Sequence, residues 1–479
     1  MQSVRYWAAR NARLMQVLYN VFEPVLHRLK PLARAFGARR LERPLAAAER
    51  AVKGFLFDCQ MCGRCALATN GMACPTNCPK RLRNGPCGGV RADGACETKP
   101  DMRCVFVEGW NGSQRMAGLP SRVPNPPLDH RLAGTSSWLR VVTGDPQPAA
   151  PLAPPPVAPP VVSRLQELLA SGTFAVTAEI APPDSADPDE VRRRIDVFDG
   201  CVDALNVTDA SGAHCHMSSL AVSVLLLQAG CEPVMQLTCR DRNRIALQGD
   251  ILGAAALGVR NLLCLSGDDV ANGDHPGARQ VGDLDSVSLL AAARGLRDDA
   301  RYLSGRPLAA PPPLFLGGAD NPFAPPLEGR LARLSKKVYA GAQFVQTQYC
   351  FDLELLERYM ERVRAEGLHQ RCRILAGVGP IGSAKTARWL RAHVPGVHIP
   401  DSVVTRLETA ADPREEGLRI CVELIRAIRR IPGIAGVHIM APKQERAVAR
   451  IVAESGVLDQ RAPLFRRAAP AAPVRGARP

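Results

Sequence analysis

Gly341-Ala-Gln-Phe-Val-Gln-Thr-Gln-Tyr-Cys-Phe-Asp352 carries the change of pattern that decides the fold. Phe344–Gln348 reads as a short strand whose end turns polar, at Gln346-Thr-Gln348, and Leu353 to Val363 then takes up the apolar spacing of an amphipathic helix. The same succession of apolar run, polar end and helical segment recurs along the chain. Candidate strands are Phe174–Ile180, Ala204–Thr208, Pro233–Thr238, Asn261–Leu265, Pro313–Leu316, Phe344–Gln348, Arg373–Ala376 and Gly436–Met440. Eight strand–helix units in about 300 residues is the number and size of a (β/α)8 TIM barrel. Parallel strands covered on both faces also account for the unbroken apolar runs. A doubly wound sheet would show a Gly-x-Gly-x-x-Gly turn after an early strand, and the chain has none.

Outward from this body, the 479 residues divide further. The proline-rich run from Pro146 to Pro160 can form neither helix nor central strand, so residues 144–161 read as a linker between two folded units. Residues 162–459 form the barrel, 57–143 a cysteine-rich module, and 1–56 a basic helical segment. The Ala/Pro/Arg-rich end, 460–479, has few large apolar groups and is expected to be a disordered basic tail. The net charge of +15 is concentrated outside the barrel: residues 1–143 hold 22 Lys and Arg against 9 Asp and Glu. No groove-reading motif or stacking aromatics accompany that charge, which argues against nucleic acid and for solvated basic faces or an acidic protein partner. No run of eighteen apolar residues occurs, so no segment is expected to span a membrane. The first residues lack the apolar core of a secretory signal, which predicts a cytoplasmic protein.

Active sites of this fold form at the C-terminal ends of the strands. Polar residues gather there: Glu179 before Pro182-Pro183, Thr208-Asp209, Gln236-Leu-Thr-Cys-Arg-Asp241, Ser266-Gly-Asp-Asp269 and Gln346-Thr-Gln348. Any one of them could simply cap the next helix, and for Asp241 and Asp269 capping is the favoured reading. Their convergence on one rim is the functional signal.

Eight of the sixteen cysteines fall between Cys59 and Cys104: Cys59, Cys62, Cys65, Cys74, Cys78, Cys87, Cys96 and Cys104. The others, among them Cys201, Cys231, Cys264 and Cys421, sit at apolar positions and read as small buried hydrophobes. Disulfides need an oxidising compartment. Two chemistries therefore remain for the cluster. A structural zinc needs four soft ligands in a tetrahedron. A 4Fe–4S cluster needs thiolates alone, and Cys59-x2-Cys62-x2-Cys65 with Cys-Pro nearby is like the ferredoxin-type run. No histidine lies between Cys59 and Cys104, which favours the iron–sulfur reading, with Cys59, Cys62 and Cys65 as its first ligands and the fourth unassigned.

Taken together the motifs resemble the methylenetetrahydrofolate reductase family. In order they are Ala178-Glu179-Ile-Ala-Pro-Pro183, Asn206-Val-Thr208, Gln236-Leu-Thr-Cys239, Leu265-Ser-Gly-Asp268, Asn321-Pro322, Lys336-Lys-Val-Tyr-Ala-Gly-Ala342, Thr347-Gln348-Tyr-Cys-Phe-Asp352 and Gly436-Val-His-Ile439. The front region, with Cys78-Pro-Lys-Arg-Leu-Arg-Asn-Gly-Pro-Cys-Gly-Gly89, is similar to the cysteine-rich small subunit that accompanies such reductases in acetogens.

The resemblance implies flavin-dependent interconversion of 5,10-methylenetetrahydrofolate and 5-methyltetrahydrofolate, by hydride transfer through flavin N5. Glu179 matches the family's general acid, on an apolar strand whose surroundings would disfavour its charged form. Asp268 matches an aspartate held near flavin and folate, where a fixed negative charge would stabilise a cationic iminium. Thr208, Gln236, Ser266, Gly267, Asn321 and Lys337 match flavin-contacting positions, with Lys337 a phosphate ligand, and Gln348 matches a folate-contacting glutamine. The cofactor implied is FAD, with FMN as the alternative, because Gln236, Ser266, Arg330 and Arg333 depart from relatives. Pro380-Ile-Gly-Ser-Ala-Lys385 lacks an aromatic that stacks on nicotinamide, which speaks against direct NAD(P)H oxidation and for electrons arriving through the cysteine module or a redox protein docked on it. A homo-oligomer is expected. The competing classes are a folate- or corrinoid-linked methyltransferase, which would place zinc at the barrel rim, and a redox adaptor, which would have lost Glu179, Asp268 or Gln348.

Overall fold

The computed structural model describes residues 2–118, 122–144 and 160–466. Most of the proline-rich linker and the last thirteen residues of the expected tail lie outside the described residues.

Eight parallel strands close on themselves in chain order: β1 Ala175–Ile180, β2 Ala204–Val207, β3 Pro233–Thr238, β4 Asn261–Leu265, β5 Phe315–Asp320, β6 Phe344–Tyr349, β7 Arg373–Val378 and β8 Ile434–Ile439. Closure is made by β8 on β1, with Val437 opposite Val176. The strands are buried along almost their whole length, as expected for a sheet lined outside by helices and filled inside by its own side chains. Outside the barrel, aliphatic side chains of strands and helices form one continuous core. At the lower mouth, Leu165, Leu168 and Leu169 of the helix Arg164–Ala170 pack on Phe315, Phe344, Val234 and Leu375 and plug the barrel.

The strand expectations hold, with shifts of up to two residues at the ends of β7 and β8 and a larger one at β5. Residues 313–316 read as the fifth strand, but β5 runs to Asp320. The strand continues through Gly317-Gly318 because these glycines make room: a Cβ on Gly317 would lie 2.2 Å from the Phe344 ring, which stacks on Phe315 at 4.7 Å. The expectation of an unpacked tail from residue 460 fails for 460–466. Phe465 is fully buried, its backbone pairs with Gly200 and Val202, and Arg461 forms an ion pair of 2.6 Å with the buried Asp203. One aromatic and one correctly placed charge offset the poor composition of that stretch.

Four helices open the chain: α1 Gln2–Arg10, α2 Ala12–Arg28, α3 Lys30–Phe36 and α4 Ala38–Phe57. They pack with the helix Ser137–Thr143, where Trp138 meets Phe22 edge-on at 5.0 Å and the buried Glu49 binds Lys53 at 2.7 Å and the Trp138 amide at 3.1 Å. Between them, residues 58–104 of the module are mostly irregular chain with two isolated antiparallel bridges, Val90 with Cys96 and Ala95 with Arg103. The module sits on the barrel. Asp285, at the start of the helix Ser286–Asp298, accepts the backbone N–H groups of Arg83 at 2.9 Å and Asn84 at 2.7 Å. Arg244 donates to Leu128 O at 2.6 Å, and Asn321 donates to Gly88 O at 3.0 Å. Among the described residues no helix is long and apolar enough to cross a membrane.

Candidate functional site

A cavity of about 400 Å3 opens at the C-terminal ends of the strands, and its walls come from both parts of the molecule. From the barrel it takes Glu179, Gln236, Ser266, Gly267, Asp268, Asn321, Lys337 and Gln348; from the module, Lys80, Cys87, Gly88, Gly89 and Glu97. Eight of the nine site residues expected in the barrel therefore meet in one space. Thr208, the ninth, is buried beside the cavity without lining it, and its Oγ1 has no hydrogen-bond partner.

Beneath the cavity lies a polar layer of side chains that point into the barrel. Gln346 and Asn206 exchange hydrogen bonds of 2.9 and 2.5 Å, Gln346 also donates to Thr177 at 3.3 Å, and Thr177 Oγ1 lies 3.0 Å from His438 Nδ1. The other ring nitrogen of His438 faces Glu179 Oε2 at 3.8 Å, and Gln236 Nε2 reaches the same oxygen at 3.4 Å. Glu179 thus looks into the cavity from among polar neighbours, with 28% of its side chain exposed. The apolar surroundings expected from its strand belong to the alternate residues Ala178 and Ile180, because successive strand side chains face opposite ways. His438 stood in a quoted motif, but nothing in that motif showed that it would face Glu179.

Opposite Glu179, Asp268 accepts the Gly212 N–H at 2.8 Å through Oδ2. Gln348 accepts the Tyr349 N–H at 3.0 Å, and Ser266 Oγ accepts the Ser286 N–H at 3.3 Å. Lys337 donates to Ala319 O and lies 3.8 Å from Asp320; burial, with Arg333 beside it, pushes its ammonium down to about 7. Arg330 is similarly pushed down to about 10, chiefly by burial, while its guanidinium grips the carbonyls of Ala324, Pro325 and Cys87. Arg240 Nη1, Asp320 Oδ1 and Asn321 Oδ1 are buried at this cavity without hydrogen-bond partners. Arg240 Nη1 is a donor that a phosphate oxygen would satisfy, and Asp320 Oδ1 and Asn321 Oδ1 are acceptors that ligand hydroxyl groups would meet, so the set fits a polar ligand carrying both, such as a flavin nucleotide.

The eight module cysteines are all free thiols and fall into two sets. Cys59, Cys62, Cys65 and Cys74 line one small cavity together with Lys53, Arg64 and Arg83, and Cys74 is the fourth member that spacing left open. Cys78, Cys87, Cys96 and Cys104 form the second: Cys78, Cys87 and Cys104 pack in one apolar cluster with Val90, whose backbone is bridged to Cys96. Burial pushes Cys59 and Cys104 up to about 12, and neighbouring cysteines add to the effect. Among the described residues, no three Cys, His, Asp or Glu side chains are gathered closely enough to hold a metal ion.

Comparison with known proteins covers both parts. Residues 164–456 match the family described as methylenetetrahydrofolate reductase, and residues 38–124 match a second family described as methylene-tetrahydrofolate reductase C terminal. Methylenetetrahydrofolate reductase 1 of Schizosaccharomyces pombe is 26% identical over 263 residues, covering 52% of this chain and 40% of the yeast protein. The 5,10-methylenetetrahydrofolate reductase of Pectobacterium carotovorum is 23% identical over 215 residues, covering 44% and 65%. A solved protein from Clostridium thermocellum, described as binding two copies of 5-methyl-5,6,7,8-tetrahydrofolic acid, aligns with a TM-score of 0.44 at 14% identity, over 61% of this chain and 97% of that one. The match to the first family spans more than half of the chain and takes in every strand of the barrel, so the chain belongs to the methylenetetrahydrofolate reductase family.

Proposed function

We propose that this chain reduces 5,10-methylenetetrahydrofolate to 5-methyltetrahydrofolate, or runs the reverse, with a flavin held at the upper mouth of the barrel. The observation that carries the reading is the meeting of Glu179, Gln236, Asp268, Asn321, Lys337 and Gln348 in one cavity of a barrel of this family. When bound, the flavin supplies a hydride to the bridging methylene. The chain's own residues do the rest. Glu179 gives a proton to the departing folate nitrogen, which opens the five-membered ring to a cationic iminium. Gln236 and His438 hold the Glu179 carboxyl toward the cavity. Asp268 supplies a fixed negative charge for the iminium, already oriented by the Gly212 N–H. Gln348 pairs with the pterin edge, while Asn321 and Lys337 bind the nucleotide end of FAD or the phosphate of FMN.

In the module, the two cysteine quartets would hold 4Fe–4S clusters, whose cubane spreads its four thiolates wider than a single ion does. Such clusters would relay electrons from a docked donor protein toward the barrel, in the manner of an acetogen-type small subunit fused to its reductase. Iron with acid-labile sulfide in anaerobically purified protein is the expected analysis, and zinc alone would make the module purely structural. For the folate reaction the test is Glu179→Gln. It should keep bound flavin and lose turnover by about 10²–10⁴-fold, the usual contribution of a positioned general acid. Near-normal turnover would remove Glu179 from the mechanism.

A further inference from the structure

The module reaches into the barrel through one side chain in particular. Lys80, two residues after Cys78, is 5% exposed; its ammonium donates to Gly267 O at 3.3 Å and pairs with Glu97 of the same module. Gln280 of the barrel donates to the Lys80 carbonyl at 3.4 Å and so fixes the backbone from the other side. Gly267 has φ +85°, and a Cβ there would come within 2.8 Å of Arg240 Cβ, so its carbonyl is held where Lys80 meets it. Lys80, Glu97, Gly267 and Asp268 all line the cavity. At this end a ligand in the cavity would face a buried ammonium carried by the module, paired with Glu97 of the module and within the field of Asp268 of the barrel.

We propose that Lys80 is the residue through which the module sets the redox balance of the barrel's flavin, by favouring the reduced form. The inference rests on the flavin reading above. Fully reduced flavin is an anion at neutral pH, its charge spread over N1 and the adjacent carbonyl oxygen, whereas the oxidised ring is neutral. A buried cation in the same cavity is poorly screened by salt and stabilises the first over the second. Glu97 acts in the opposite sense. A barrel without the module would lack both charges, so module and barrel together make the site.

The experiment is an equilibrium titration of the flavin potential in the full-length holoprotein, comparing wild type with Lys80→Gln, Lys80→Arg and Glu97→Gln. Glutamine can still donate to Gly267 O, so Lys80→Gln removes the charge rather than the tie. The expected result is a tenfold loss in preference for reduced flavin, which for a two-electron couple is about 30 mV downward. Lys80→Arg should restore the wild-type value, and Glu97→Gln should move it upward. An unchanged potential in Lys80→Gln with flavin at full occupancy would overturn the proposal and leave folate reduction standing. Should Lys80→Gln fail to fold, the upward shift in Glu97→Gln decides, and its absence would be equally fatal. Wild-type protein that binds no flavin would remove the functional reading itself, and this inference with it.

Discussion

Barrel and module are held together by opposite means. In the barrel, regular pairing satisfies the backbone, and apolar side chains interlock in a repeating order, so each strand is placed by its own pattern and by its neighbours. In the module, most of residues 58–104 belong to no ladder; local turns pair part of the backbone, and single side chains tie the rest to the barrel: Asp285 for the amides of Arg83 and Asn84, Asn321 for Gly88 O, Arg333 for Asn84 O. A pattern repeated eight times tolerates a local misfit. A junction made by a few side chains does not.

Removing Asp285 should therefore have the largest effect on stability. Asp285→Ala strips the cap of its helix, worth about 1 kcal/mol, and leaves two buried N–H groups open, at about 1–3 kcal/mol each. Limited proteolysis should show the module cut faster while the barrel fragment persists. Equal protection of both parts in the variant would show that the junction does not depend on this carboxylate. Within the barrel the matching test is Gly317→Ala. The new methyl meets the buried Phe344 ring, and overpacking of this kind costs about 1–3 kcal/mol. A lower melting temperature is expected, with partial recovery in Gly317→Ala/Phe344→Leu. Recovery there would confirm that packing sets the tolerance of the barrel at this position.

The same contrast explains what could be read in advance. The barrel's eight strands and the rim position of Glu179, Gln236, Asp268 and Gln348 follow from periodicity, which is a local property. The end of β5 did not, because the reason for Gly317 is a ring 27 positions away on another strand. Phe465 likewise looks like a stray aromatic in a poor segment until Val202 and Gly200 are brought beside it. In the module, spacing pointed to Cys59, Cys62 and Cys65, but only the fold shows that Cys74 joins them and that Cys87 belongs with Cys78 and Cys104. Lys80 was the least legible. In the run Cys78-Pro-Lys-Arg-Leu it is one basic residue among several, and its meaning lies in Gly267, 187 positions on.

The smallest expected effect tests whether buried charge is borne by barrel or junction. The helix Arg330–Ala340 carries Lys336 and Lys337 side by side. Lys337 lines the barrel cavity and is pushed down to about 7, while Lys336 lines a small cavity between module and barrel and is pushed down to about 8, in both cases chiefly by burial. The unfolded chain binds these protons up to the ordinary lysine value near 10.4. Between about 7 and that value each lysine binds more proton in the unfolded chain than in the folded protein, so its own contribution to stability rises with pH across that window. Below about 7 both states are protonated, and the cost of burying the charge is present in full. Buried thiols such as Cys59 and Cys104 act in the opposite sense above about pH 8.5, where thiols of the unfolded chain ionise first. The climb due to each lysine is therefore read from about pH 7 to pH 10 as the difference in urea midpoint between wild type and variant in flavin-free protein. In Lys337→Met, which keeps the apolar stem and loses the ammonium, the climb should be flatter from its lower end; in Lys336→Met, flatter only from about pH 8 upward. If Lys337→Met leaves the slope unchanged and Lys336→Met abolishes it, the strained cation sits at the junction, and the division between a self-sufficient barrel and a side-chain-dependent module would have to be redrawn along this helix.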